Sequence, residues 1–169
     1  LEADELLITY IGKIAFDVRG FATVVRALPI IKSEIPEVKL RFAGKTYYNQ
    51  KEQKKDLAKS LGVEECVEFT GWIDEEEFPK YLNAADIGII PHKSNPFTNT
   101  TVPNKLFYYM AAELPVLATD TTAVARIVRE TNSGVVVPAE DPEAFADAIR
   151  RGDEDLFATI EDYRERMDR

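Results

Sequence analysis

LLITYIGKIAFDVRGFATVVRALPIIKSEIPEVKLRFAG, residues 6–44, decides the fold class. Leu6 to Ile11 is a short apolar run that stops at Gly12 and reads as a buried strand. Phe21, Val24, Val25, Leu28 and Ile31 then recur at steps of three and four, one face of an amphipathic helix over 20–35 that Pro36 stops. Val38 to Ala43 alternates apolar with polar residues and ends at Gly44, a second strand. Strand, helix and strand in that order form a βαβ unit, whose crossover helix makes the two strands parallel.

The alternation continues to the end of the chain. Residues 49–61 (NQKEQKKDLAKSL) make a polar helix closed by Gly62 at its C′ position. Cys66 to Phe69 is a third strand, ended by Gly71. Asp74, with Glu77 three residues on, is a capping-box start for a helix over 75–84. Asp86 to Pro91 (DIGIIP) is a fourth strand, followed by a long loop over 92–103 and a helix over 105–112. A strand over 115–118, a helix over 122–130 and a strand over 134–137 come next. Asp141-Pro142 is an N-cap with proline in the first turn of a helix reaching Arg150, and 153–168 is a charged helix. These elements imply an α/β fold over residues 1–169, one domain. It is a doubly wound, Rossmann-like parallel six-stranded sheet with helices on both faces and strand order 3-2-1-4-5-6.

Composition narrows the functional classes. At 169 residues, 45% hydrophobic and 30% charged, the chain is an ordinary globule and neither a disordered nor a collagen-like sequence. Its 21 Lys and Arg against 30 Asp and Glu, a formal charge of −9, argue against a nucleic-acid binder. Cys66 stands alone and cannot form an internal disulfide, which suits a reducing, cytoplasmic compartment. The apolar runs are too short to span a bilayer. The chain opens Leu1-Glu2-Ala3-Asp4-Glu5, with neither an initiator Met nor the basic start of a signal peptide, so a fragment or processed chain is expected.

In a doubly wound sheet the ligand sits beyond the carboxyl ends of the strands, where the strand order reverses, here between strands one and four. The loops at those ends are 12–20 and 92–105. They carry Lys13, Arg19, Lys93 and Lys105, with only Asp17 as a local acid, and Thr98, Asn99, Thr100, Thr101 and Asn104 as neutral donors. Helix N-termini following both loops favour phosphate, and Gly12 and Gly20 allow close backbone approach. Neither G-x-G-x-x-G nor the G-x-x-x-x-G-K-[ST] phosphate loop occurs, and basic residues that merely solvate a surface remain the alternative.

Single residues also divide between two readings. His92 is a donor-sugar contact or a solvated loop residue, and it lacks the partners of a zinc site. Trp72 lines a base pocket or covers the sheet edge, and Tyr47-Tyr48 stack on a base or pack. The acidic run Asp74 to Glu77 satisfies a helix macrodipole, and Cys66 is a small core residue. On the helix over 105–112, Leu106 and Met110 share an inward face, whereas Asn104 and Tyr108 share another.

Seven segments follow one another as landmarks: Gly12-Lys13 with Arg19-Gly20, VKLRFAG at 38–44, FTGWI at 69–73, YLNAADIGIIP at 81–91, VPNKLFYYMA at 102–111, LPVLATD at 114–120 and GVVVP at 134–138. In order and spacing the chain resembles the C-terminal, donor-binding domain of the family 4 (group 1) retaining glycosyltransferases of the GT-B fold, from about residue 6 to about residue 150. The resemblance implies transfer of a sugar from a nucleotide-diphosphate sugar to an acceptor in glycan or polysaccharide synthesis. It implies Lys13, Arg19 and Lys105 on the donor diphosphate, and Gly71, Trp72 and Ile73 at the nucleobase. His92, Thr98, Thr100, Thr101, Asn104 and Tyr108 would meet the sugar and ribose.

The resemblance also implies no cofactor and no metal. Catalytic residues and the acceptor site would come from an N-terminal domain of the same parent chain, whose peripheral membrane association is left open. Two departures from the family pattern stand out. Thr100 and Tyr108 stand where the family often has glutamates, the second of them on ribose, and Glu113 stands where it has glycine. A non-catalytic nucleotide-sugar-binding module and a GT-B sugar-nucleotide epimerase are the competing expectations.

Overall fold

The computed structural model describes residues 5–14, 18–45 and 48–150. Six strands, β1 (Glu5–Ile11), β2 (Glu37–Ala43), β3 (Val67–Gly71), β4 (Ile87–Ile90), β5 (Val116–Thr119) and β6 (Gly134–Val137), form one parallel sheet in the order β3-β2-β1-β4-β5-β6. The helices are α1 (Phe21–Lys32), α2 (Tyr48–Ser60), α3 (Phe78–Asn83), α4 (Pro96–Thr100), α5 (Lys105–Ala111), α6 (Thr122–Thr131) and α7 (Pro142–Arg150). The expected strand order and the α/β class are both present. The helix expected over 153–168 lies outside the described residues, as do Asp17 and Tyr47 and the side chain of Tyr48.

Strand alternation divides the core between the two faces. Ile8, Tyr10, Leu40, Phe42, Ile87 and Ile89 pack with α1 and α7 on one face. Ile11, Ile90, Val116 and Ala118 pack with Leu106 and Tyr109 of α5 and with Val124 and Val128 of α6 on the other. Each such fully buried aliphatic side chain stabilises the fold by about 1.5–3 kcal/mol relative to exposure.

Four elements differ from expectation, each for a local reason. The loop over 92–103 contains α4, a helix too short for an apolar period. Its signal lies in its cap: Asn95 accepts from the Phe97 and Thr98 amides, and Pro96 stands in the first turn. The helix expected over 75–84 divides into a 3₁₀ turn, Glu75–Glu77, and α3, with Pro79 in the first turn of α3. Cys66 closes a 3₁₀ turn instead of opening β3, although it is buried as expected. Helix α1 stops at Lys32, where the Ser33 hydroxyl donates to the Ile30 carbonyl at 2.7 Å.

The centre of the sheet opens toward the crevice. β1 and β4 pair only at Ile8↔Ile87 and Thr9↔Gly88, and beyond that point they diverge. The Tyr109 hydroxyl fills the gap, accepting from the Ile11 amide at 3.0 Å and reaching the Ile89 carbonyl at 3.2 Å. Gly88 makes room for the ring, since a Cβ there would lie 2.7 Å from it.

A cationic crevice at the reversal of strand order

The loop after β1 is held from three sides. The Tyr10 hydroxyl donates to the Lys13 carbonyl at 2.8 Å, and Lys54 of α2 donates to the Ile14 carbonyl at 2.8 Å. Lys54 is buried, and burial pushes its ammonium down to about 8. The third hold is Gly20, in the left-handed region at φ 70°, so close to β4 that a Cβ would meet the Pro91 carbonyl oxygen at 1.6 Å. Only glycine fits there, and the contact seats Gly20 against the residue after β4 with Arg19 in reach of His92.

That contact brings Arg19, His92 and Lys105 together. Arg19 has only donors, so its Nη1 donates to His92 Nε2 at 3.3 Å, and His92 is a neutral imidazole carrying its proton on Nδ1. Burial, and then the charges of Lys105 and Arg19, push His92 down to about 3. Thr119 fixes the His92 backbone by donating to its carbonyl at 2.6 Å. Lys105 is only 7% exposed, and its Nζ lies 3.6 Å from the centre of the Tyr10 ring. Burial and Arg19 hold its ammonium well below the usual lysine range. Among the described residues, no carboxylate is paired with Lys105 or Arg19. Arg19 and Lys105 therefore bring two cations together with no paired carboxylate among the described residues, which suits a polyanion.

Two cavities meet there. One, of about 400 Å³, is lined by Lys13, Arg19 and Lys105 together with Thr101, Asn104 and Tyr108. The other, of about 540 Å³ and more apolar, is lined by Trp72, Ile73, Phe78, Gly44 and Lys45. Gly12, Lys13, Glu75 and Phe78 line both. A third hollow, of about 510 Å³, lies between α2 and β3, where acids and lysines alternate.

The structure does not place all the expected residues in the crevice. Lys13, Arg19, Lys105, Thr101, Asn104 and Tyr108 line the cationic cavity, and Trp72 and Ile73 line the apolar one. Trp72 is 72% exposed, steadied by its indole N–H donating to Asp74 at 3.1 Å, so it does not cover the sheet edge. Gly71 ends β3 and is in the lining of neither cavity.

Thr98 is buried, and its hydroxyl donates to the Lys93 carbonyl at 2.6 Å and accepts from the Asn95 amide. Its polar atoms are occupied in closing α4, so it is not a lining residue. Thr100 donates to the Pro96 carbonyl and lies outside both cavities. His92 is neither solvated nor in the lining; it reaches the crevice through Arg19. Lys93 is paired with Glu140 at 3.2 Å, so Asp17 is not the only acid near the loop cations. The helix end that directly follows the β4 loop is that of α4, and Asn95 already caps it.

Sequence reasoning missed Tyr10, Glu75, Phe78 and Tyr109. Tyr109 had one available signal: it stands four residues after Lys105, on the same helix face. Glu113 has φ 54°, a left-handed conformation that glycine adopts without strain. Met110 is only half-buried, whereas Leu106 is fully buried. No group of three or more His, Cys, Asp or Glu side chains among the described residues could hold a metal ion, and no helix among them is long and apolar enough to cross a membrane.

A doubly wound parallel sheet with a crevice at its switch point defines an α/β class whose ligands sit beyond the carboxyl ends of the strands. The model of the family "Glycosyl transferases group 1" matches residues 5–155, and the chain belongs to that family. It is 26% identical over 151 residues to an uncharacterized glycosyltransferase of Methanocaldococcus jannaschii, covering 89% of this chain and 36% of that protein. It is also 26% identical over 143 residues to a phosphatidyl-myo-inositol mannosyltransferase of Mycolicibacterium smegmatis, covering 84% of this chain and 34% of the relative. The chain thus spans about a third of the length of these curated relatives. A crystal structure of the C-terminal domain of a group 1 glycosyl transferase from Francisella tularensis superposes with a TM-score of 0.74 at 21% identity, covering 92% of this chain and 78% of that one. That likeness shows the GT-B half-fold.

Proposed function

We propose that this chain is the donor-binding domain of a retaining glycosyltransferase acting in glycan or polysaccharide synthesis, with a nucleotide-diphosphate sugar as donor. The observation that carries the reading is Lys105: a buried cation with no carboxylate partner among the described residues, stacked under the opening between β1 and β4 beside Arg19. A diphosphate there supplies the missing counter-charge. In this reading Lys13, Arg19 and Lys105 hold the diphosphate. The base enters the cavity walled by Trp72 and Ile73, and the sugar lies along Thr101 and Asn104.

Cleavage of the glycosyl–phosphate bond leaves negative charge on the departing diphosphate. Cations already fixed at that position stabilise the transition state more than the ground state. This assigns the leaving-group role to the chain's own cations, with no metal. His92 acts through Arg19, whose guanidinium it orients. The acceptor site is assigned to an N-terminal domain of the same parent chain.

Calorimetric titration with UDP-, GDP- and ADP-sugars tests the reading. One donor should bind, and Lys13→Ala and Arg19→Ala should each weaken it by about 1.5–3 kcal/mol, the range for a charge-assisted hydrogen bond. Melting temperatures should change little. Unchanged affinity in both variants would place the diphosphate elsewhere. The 169-residue chain should bind donor yet transfer no sugar by itself, and measured transfer would refute the assignment of the acceptor site.

A further inference from the structure

We propose that Glu75 recognises the ribose 2′,3′-diol of the bound nucleotide, with Tyr108 as its positioning residue; the inference rests on the nucleotide reading above. Among the described residues, Glu75 is the one acid lining the cationic cavity, and also the one acid lining the apolar cavity. It stands where the two meet. A nucleoside diphosphate has the same order: an apolar base, then a ribose, then a polyanion. A carboxylate this near Lys13 and Arg19 repels the diphosphate unless it receives hydrogen bonds from the ligand. The neutral donors between base and phosphate are the ribose hydroxyls, and one carboxylate can accept both.

The geometry holds Glu75 in place. The Tyr108 hydroxyl donates to Glu75 Oε1 at 3.3 Å, and Phe78 meets the Tyr108 ring edge-on with centroids 5.3 Å apart. Glu75 is not needed for the turn that bears it. The capping box is made by the Asp74 and Glu77 side chains, with the Asp74 amide donating to Glu77 at 3.4 Å. The acidic run therefore divides its work, with positions 74 and 77 closing the turn and position 75 facing the ligand. Tyr108 bears no carboxylate itself and presents that of Glu75 from across the cavity.

The test compares whichever of UDP, GDP and ADP binds most tightly with its 2′-deoxy form and with inorganic pyrophosphate. Each is titrated calorimetrically against the wild-type chain, Glu75→Gln and Tyr108→Phe. Glu75→Gln should lose about tenfold in ribonucleotide affinity. Pyrophosphate should bind it more tightly than wild type, because a nearby negative charge is gone. The ratio of ribonucleotide to deoxynucleotide affinity should fall toward one, and in Tyr108→Phe part of the way. Both side chains are exposed or half-buried, so melting curves should coincide with wild type. A ribonucleotide that binds Glu75→Gln with the wild-type ratio would overturn the role of Glu75 and leave the nucleotide reading intact. No binding of any nucleotide to wild type would overturn both.

Discussion

Replacing Lys105 with methionine should make the protein more stable and less able to bind. Lys105 is buried with no carboxylate partner among the described residues, beside the cation Arg19. Methionine fills a similar volume without a charge. The loss is the cation–π contact with Tyr10, worth about 2 kcal/mol when desolvated. The gain is removal of an unpaired buried charge and of its repulsion with Arg19, a penalty of several kcal/mol. The balance favours Lys105→Met by roughly 1–3 kcal/mol, a rise of about 3–10 °C in melting temperature for a domain of this size.

The sign of the pH dependence follows from the same burial. The unfolded chain keeps the lysine proton up to its ordinary pKa, whereas the folded chain gives it up earlier. Between the two the unfolded state binds more protons, so wild-type stability recovers as pH rises toward the ordinary lysine value and the advantage of Lys105→Met shrinks. The functional cost should be large. A charge-assisted hydrogen bond to a phosphate is worth about 1.5–3 kcal/mol, so diphosphate affinity should fall about 10- to 150-fold. Scanning calorimetry from pH 7 to 10, with a pyrophosphate titration of the same samples, measures both. A variant that melts lower than wild type and still binds pyrophosphate equally would refute the reasoning.

His92→Gln keeps an acceptor for Arg19 and removes a group held near 3 in the folded state and near 6.5 in the unfolded one. Between those values the unfolded state takes the proton, so wild type should lose about 2 kcal/mol more than the variant between pH 7 and pH 5, read from urea midpoints. Tyr109→Phe leaves the buried Ile11 amide without an acceptor and should cost about 1–3 kcal/mol; a cost near zero would show that the hydroxyl does not join β1 to β4. Glu113→Gly relieves a left-handed backbone and should be neutral or stabilise by up to about 1 kcal/mol, since glycine's flexibility in the unfolded chain offsets part of the gain; a loss of stability would refute this.

The elements were legible because their signals are local. Apolar spacing over 21–31 marks α1, the run at 87–90 marks β4, and Asp141-Pro142 starts α7. The strand order followed from the general topology of such alternations. The crevice was legible at the level of loops, since topology alone brings 12–20 beside 92–105. What each side chain does there was not. Thr98 and Asn104 are both polar residues of one loop, yet one closes a five-residue helix and the other lines a cavity. Lys54 sits in a helix that reads as polar, and its burial depends on the path of the Ile14 backbone in another part of the chain. Glu75 was hidden among four consecutive acids, and only the position of Tyr108 across the cavity sets it apart.

The same helix face explains why the fold and the anion site cannot be separated. Lys105 and Tyr109 lie four residues apart on α5, so their side chains point the same way, toward the gap where β1 and β4 diverge. Tyr109 closes the deeper part of that gap by bonding to both strands. Its grip sets the depth and rotation of α5, and with them the position of Lys105 at the mouth of the gap. Tyr10, whose ring lies beneath the Lys105 ammonium, also holds the Lys13 carbonyl, so the cation and the loop that walls the cavity share one support. The diverging strands thus create a polar hole in the sheet that an apolar residue could not fill, and the tyrosine that fills it fixes a lysine where burial is unfavourable until an anion arrives. In the proposed function a bound diphosphate relieves that unfavourable term, and the relief adds to what it gains by direct contact.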